Sequence, residues 1–140
     1  MIDREAIEAR LARGHNAALG VRYNAHGKDW SEMVLDYDPE LASDWAEGPL
    51  ASGPIIAMMD LATSFAVWIR KGSFTNQATL DLRVDYMRPA RSHRPVFGRG
   101  ECYHVTRTIA FVRGVAYQDD HHDPLAHVAG TFMFLEGPAL

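Results

Sequence analysis

The chain lacks nearly every motif that announces a common chemistry. Its 140 residues include one cysteine, Cys102, so it has neither a disulfide framework nor a cysteine-built zinc site. There is no Gly-x-Ser-x-Gly elbow to anchor a serine-hydrolase triad. A phosphate loop and a dinucleotide fingerprint are also missing. Positive charge is scarce: 14 Lys and Arg stand against 18 Asp and Glu, a formal net charge of −4. That balance gives no electrostatic footprint for nucleic acid or for an anionic membrane. Residues Met1 to Arg10 are charged and hold no apolar core, unlike a secretory signal, and a cytoplasmic location is expected. No repeat or low-complexity linker interrupts the sequence. At 47% hydrophobic and 23% charged residues, it reads as one globular domain over 1–140.

Long apolar runs are scarce too, and the one present is informative. From Pro54 to Ile69 the only charged residue is Asp60. As a helix this run spans about 24 Å, too short and too polar for a membrane span. A carboxylate in such surroundings must be protonated, partnered or used, because burying it alone costs several kcal/mol. Pro54 suits the first position of the helix, and Gly72 falls just past its end.

Around this helix the pattern predicts strands. Asp3 caps a short N-terminal helix running to Arg13, with Ile7 and Leu11 on one side and Gly14 as the stop. Ala17 to Tyr23 and Met33 to Tyr37 read as strands, and Pro39 to Gly53 as a loop. Thr79 to Met87 alternates, with Leu80, Leu82, Val84 and Tyr86 on one face and Thr79, Asp81, Arg83 and Asp85 on the other. Val96 to Val105, Ile109 to Tyr117 and Ala126 to Leu135 complete a four-strand meander. One helix followed by four antiparallel strands requires the sheet to curl around the helix, an α+β arrangement.

At about 100° per residue, Gly53, Ala57, Asp60 and Ser64 share one stripe of the helix. Ile55, Met58, Met59, Ala62, Phe65, Ala66 and Ile69 lie opposite and should fill the concavity of the sheet. Asp60 thus sits among small residues, where a ligand or another backbone can come close. A packing seam with a hydrogen-bonded acid explains the same pattern. The helix start, Gly48 to Pro54, offers free N–H groups at a positive helix end, suited to polarising a carbonyl oxygen. Asp60 lies about two turns from that end, so both groups are expected to touch one small substrate group.

Gly53-(x)6-Asp60-Leu-Ala together with Thr79-Leu-Asp-Leu-Arg-Val-Asp-Tyr-Met-Arg-Pro-Ala90 resembles the hotdog-fold acyl-CoA thioesterases of the phenylacetate (PaaI-like) type, over roughly residues 30 to 135. The resemblance implies a long central helix wrapped by a curved antiparallel sheet, with a short N-terminal helix preceding them. It implies homodimers or homotetramers with active sites between subunits, and hydrolysis of a small or medium acyl- or aroyl-CoA without a cofactor or metal. By the same resemblance Asp60 is the nucleophile or the base that activates water. Ser52 or Gly53 supplies the oxyanion N–H, and Thr79 comes from the partner subunit. Two positions depart from the family pattern: Ala51-Ser52-Gly53 replaces the usual His-Gly-Gly, and Trp45 stands where an Asn often helps place water. Coenzyme A carries phosphates, so Arg88 and Arg91 flanking Pro89 are candidates to meet them, with Ser64 as a further substrate contact and Arg107 a weaker one. Rival readings are a non-catalytic acyl-CoA binding protein and a hotdog hydratase or dehydratase, which would need a histidine such as His93 or His104 beside the acid. Trp45, Trp68, Met58 and Met59 are candidates for an acyl pocket. Asp119-Asp-His-His-Asp123-Pro124 has metal-ligating residue types, but the composition is that of an exposed hairpin turn.

Overall fold

Twenty residues of helix lie across a six-stranded sheet in which every neighbouring pair is antiparallel. The computed structural model describes residues 1–43 and 47–138. The elements are α1 (Arg4–Leu11), α2 (Gly14–Leu19), β1 (Val21–His26), β2 (Trp30–Leu35), α3 (Ser52–Lys71), β3 (Gln77–Tyr86), β4 (Val96–Val105), β5 (Ile109–Tyr117) and β6 (Ala126–Phe134). The sheet order is β1-β2-β4-β5-β6-β3, so β3, which follows the helix, ends up at an edge. This is the hotdog fold.

The apolar face of α3 behaves as its pattern requires. Ile55, Met58, Met59, Ala62, Phe65 and Ala66 are buried, and each large side chain so buried contributes about 1.5–3 kcal/mol. Close approach is possible because β4 presents glycine beneath the helix. A Cβ on Gly100 would lie 2.7 Å from the backbone of Ala62 and Thr63, which no side chain tolerates. Ser31 Oγ donates to Ala62 O at 2.7 Å, tying β2 to the same turn. At 20 residues the helix is longer than the Pro54 to Ile69 run and, by length and composition, is long and apolar enough to cross a membrane; here Ile55, Met58, Met59 and Phe65 are buried in the core instead.

Five local expectations are corrected. Asp3 does cap α1, its Oδ1 accepting from Ala6 N at 2.9 Å, but the helix ends at Leu11 with Ala12 as its cap. Gly14 then opens a second helix, α2, and Gly20, at φ 72°, closes it. The strand expected over Ala17 to Tyr23 therefore begins only at Val21. The second strand begins earlier than expected, at Trp30, and ends at Leu35. Helix α3 starts at Ser52, which makes Pro54 its third residue; the missing donor is still harmless there, because first-turn N–H groups have no intrahelical partner.

The fifth correction concerns β3. Thr79 pairs with Phe132 and Asp81 with Thr131, which leaves Leu80 without a partner in the ladder. This is a β-bulge, and it shifts the alternation of faces by one residue. Leu80 turns out to solvent, 51% exposed. Leu82 and Val84 pack on the core as expected, while Thr79 turns in toward α3.

Candidate active site

Strand β3 runs beside the small-residue stripe of α3, and four hydrogen bonds from three of its side chains fasten the two together. Gln77 Nε2 donates to Ser64 O at 3.0 Å and to Ser64 Oγ at 2.9 Å. Thr79 Oγ1 donates to Asp60 Oδ1 at 2.7 Å. Tyr86 Oη donates to Ser52 O at 3.0 Å, and burial pushes its phenol up. The bulge makes the Thr79 contact possible, since strict alternation would aim Leu80 at the helix. Asp60 is half-buried, and among the described residues its Oδ2 has no hydrogen-bond partner. A hydroxyl therefore orients one carboxylate oxygen and leaves the other open.

The resemblance places Thr79 of one subunit against Asp60 of another. Here Thr79 reaches Asp60 of its own chain, because β3 follows α3 in sequence and folds back along it. The expectation that the helix end and Asp60 share one small group also needs correction. Gly53 and Asp60 are seven residues apart on a single helix, roughly 10 Å along its axis. One carbonyl cannot span that distance within a chain.

At the helix start, Ala51 makes no side-chain cap, and Ser52 and Gly53 are exposed. Their N–H groups belong to the first turn, where donors lack helical acceptors and the dipole favours negative charge. A groove of about 430 Å³ opens beside them, lined by Ser52, Ile55, Tyr86, Met87, Arg88 and Pro89 among others. Arg88 is held at its rim, donating to Asp123 O at 2.8 Å and pairing with Asp123 Oδ2 at 3.1 Å.

Arg91 does not line this groove. Its main-chain N–H donates to Gln118 Oε1 at 2.7 Å, and its guanidinium lies 3.5 Å from Asp119. Arg94 also binds Asp119 and holds that carboxyl below the usual range. Arg107 sits exposed in the turn between β4 and β5. His93 bonds Ser92 Oγ at 2.8 Å and stacks on Tyr37, and His104 lies against Phe111; both are engaged away from Asp60. Met58 and Met59 are fully buried core residues, and Trp45 lies outside the described residues. Burial pushes the Cys102 thiol up to about 11, so it offers no thiolate nucleophile near neutrality. Asp120, His121 and His122 bring ligand atoms within 4.8 Å of one another in the exposed turn between β5 and β6.

Sequence reasoning missed Gln77 and Tyr86 as residues that tie β3 to the helix. A period-two count back from Thr79 would have found Gln77 on the same face. Its Oε1 is buried with no donor among the described residues.

Comparison with known proteins bears on this geometry. The Thioesterase superfamily profile matches residues 50–125, the stretch that carries α3, the bulged strand and the groove. The chain belongs to the thioesterase superfamily. It is 27% identical over 95 residues to the medium/long-chain acyl-CoA thioesterase YigI of Escherichia coli, covering 56% of this chain and 59% of YigI. The chain thus spans less than two thirds of the length of the curated relatives it matches. A Pseudomonas aeruginosa protein of solved structure is 36% identical, with a TM-score of 0.82 over 94% of this chain and 98% of that one. The PaaI protein of the E. coli phenylacetic acid degradation operon has a TM-score of 0.74 at 12% identity, over 86% of this chain and 83% of its own, a likeness of fold.

Proposed function

We propose that this superfamily member hydrolyses acyl-CoA thioesters, with Asp60 as the working acid. The observation that carries the reading is the Asp60 carboxylate itself. It is half-buried on a small-residue stripe, with one oxygen fixed by Thr79 and the other left for a water. In this reading Asp60 Oδ2 takes a proton from water as the water attacks the thioester carbonyl, and returns it to the coenzyme A sulfur as the tetrahedral intermediate collapses and the C–S bond breaks. The first-turn N–H of Ser52 or Gly53 receives the developing oxyanion. The name of the YigI relative supports the acyl-CoA substrate class.

The 10 Å gap between the helix end and Asp60 is closed by a second copy of the chain. Strand β3 is an edge strand bearing exposed Leu80 and Tyr86, and such an edge is a template for pairing. An antiparallel copy of β3 set about a two-fold axis at Arg83, with the surplus Leu80 left out of the count, brings Thr79 opposite the partner's Tyr86. Because Thr79 marks Asp60 and Tyr86 marks Ser52, each acid then faces the partner's helix end. The coenzyme occupies the groove beside that end, with Arg88 toward its phosphates and Pro89 along its wall.

Free-thiol release over straight-chain and aromatic acyl-CoAs, measured for the wild type and Asp60→Asn, tests the reading. Turnover by the wild type and its loss in the variant are expected. Tight binding with no thiol release would instead mark a binding protein, and unchanged turnover in Asp60→Asn would remove Asp60 from the mechanism. A single turnover in heavy-oxygen water separates general-base action, which labels the product acid, from direct attack, which labels Asp60.

A further inference from the structure

A second groove, of about 540 Å³, lies between the N-terminal helices and α3, and the reading above leaves it unused. Its floor is Leu61, Phe65 and Trp68; its far wall carries Arg10, Arg13 and Asn16. Leu61 directly follows Asp60. Ser64 and Trp68 continue the line from Asp60 at successive turns, since residues four apart are neighbours on a helix surface. The groove thus opens within about one turn of the acid, on the side away from the chain's own helix start. A thioester held between Asp60 and the partner's helix end has this second groove within reach of its acyl chain.

The wall of that groove has an unexpected chemistry for an acyl subsite. A plain hydrocarbon tail gains nothing from arginine. Among the described residues, the groove lining holds two arginines and an asparagine but no carboxylate. Arg10 lies flat against the aromatic floor, its guanidinium carbon 3.9 Å from the Phe74 ring centre and 5.3 Å from that of Trp68. Trp68 is pinned in turn by its Nε1–H donating to Thr75 O at 2.7 Å. Arg13, between α1 and α2, stands exposed at the rim. The volume suits a small to medium chain, being within the ordinary range of roughly 300–1,000 Å³ for ligand pockets.

Building on the thioesterase reading, we propose that this groove is an acyl subsite selecting chains that end in an anionic group, and that Arg13 is its specificity-determining residue. The apolar methylenes cross Leu61, Phe65 and Trp68, and the distal carboxylate meets the Arg13 guanidinium. The preferred substrates are then α,ω-dicarboxylic acyl-CoAs rather than simple fatty acyl-CoAs of the same length.

Matched pairs test this: hexanoyl-, octanoyl- and decanoyl-CoA against adipoyl-, suberoyl- and sebacoyl-CoA, with the wild type, Arg13→Gln and Arg13→Lys. At the best-fitting length the wild type should favour the dicarboxylic member by roughly tenfold or more in kcat/KM, the scale of one hydrogen bond to a charged group. That preference should weaken with added salt. Arg13→Gln should bring the ratio to within about twofold of unity, and Arg13→Lys should restore part of it. A wild-type ratio at or below one overturns the proposal, as does a preference that survives Arg13→Gln. An equal loss for both members of a pair also overturns it, because Arg13 would then be meeting the coenzyme phosphates they share. If no thioester is cleaved, the hydrolytic reading fails by itself; the ratio of calorimetric Kd values for each pair still decides the subsite.

Discussion

The two sides of α3 are built on opposite principles. The face toward the sheet carries large apolar side chains pressed onto a glycine-bearing strand, and nothing polar on it except Thr63, whose hydroxyl donates back to Met59 O at 2.9 Å. The side toward β3 carries small residues and one acid, and it is joined to that strand by four hydrogen bonds from Gln77, Thr79 and Tyr86. Dense packing holds the helix in place; sparse, directional bonding leaves room beside it for a ligand. On the proposed function, stability and chemistry fall to different faces of one element, and substitutions should separate them.

The widest separation is expected at Asp60. Asp60→Asn should lower thioester turnover by about 10²–10⁴-fold, the usual loss on removing a general base, while thermal unfolding stays close to wild type. A matching fall in melting temperature would mean the acid belongs to the packing side after all. The mirror experiment is Met59→Ala. Removing a fully buried methionine should cost about 2–5 kcal/mol by urea unfolding, with kcat kept in the fraction that remains folded. A selective loss of kcat there would show that the core face reaches into the chemistry.

Thr79→Ala sharpens the contrast at a smaller scale. It deletes the hydrogen bond that orients the carboxylate and should reduce kcat some ten- to hundredfold, the rate equivalent of about 1.5–3 kcal/mol, while the exposure of the bond holds the loss on unfolding to about 1 kcal/mol or less. Thr79→Ser should recover most of that. Tyr86→Phe is the mildest case: the bond to Ser52 O is neutral and half exposed, so a change of about 0.5–1.5 kcal/mol or less is expected. Circular dichroism melts and thiol release on the same samples read both quantities. A large kcat effect at Tyr86 would extend the working site to the helix start within one chain.

Much of this division is legible in the sequence, because it follows from helical angle. Asp60 with Gly53, Ala57 and Ser64 fell on one stripe, and Gly72 marked the C-terminal cap, which the structure places at φ 74°. Strands β4 and β5 begin and end where alternation and flanking turns put them. Two features were hidden for identifiable reasons. Gly14 fits a helix stop and a helix start equally well, and the burial of Ile7 and Leu11 against the core decides where α1 ends. In β3 the pattern Leu80, Leu82, Val84 and Tyr86 alternates without a flaw. Only the pairing with β6 reveals that Leu80 is surplus, because a strand's own sequence carries no record of its partner's register. The same slip hid the direction of Thr79, and with it the bond between hydroxyl and acid within one chain.

That surplus residue makes strand β3 unusual in what kind of change it can absorb. Each residue from Asp81 to Tyr86 already has its own ladder partner, so losing one between Leu82 and Tyr86 would turn half the strand inside out. Shortening the chain at Leu80 removes only the unpaired position, leaving Thr79 beside Phe132 and Asp81 beside Thr131 in an unbroken ladder. At this one point the protein should tolerate a change of length better than a change of phase. Deletions placed along the strand would show which of its residues sets the aim of Thr79 and which is merely spare.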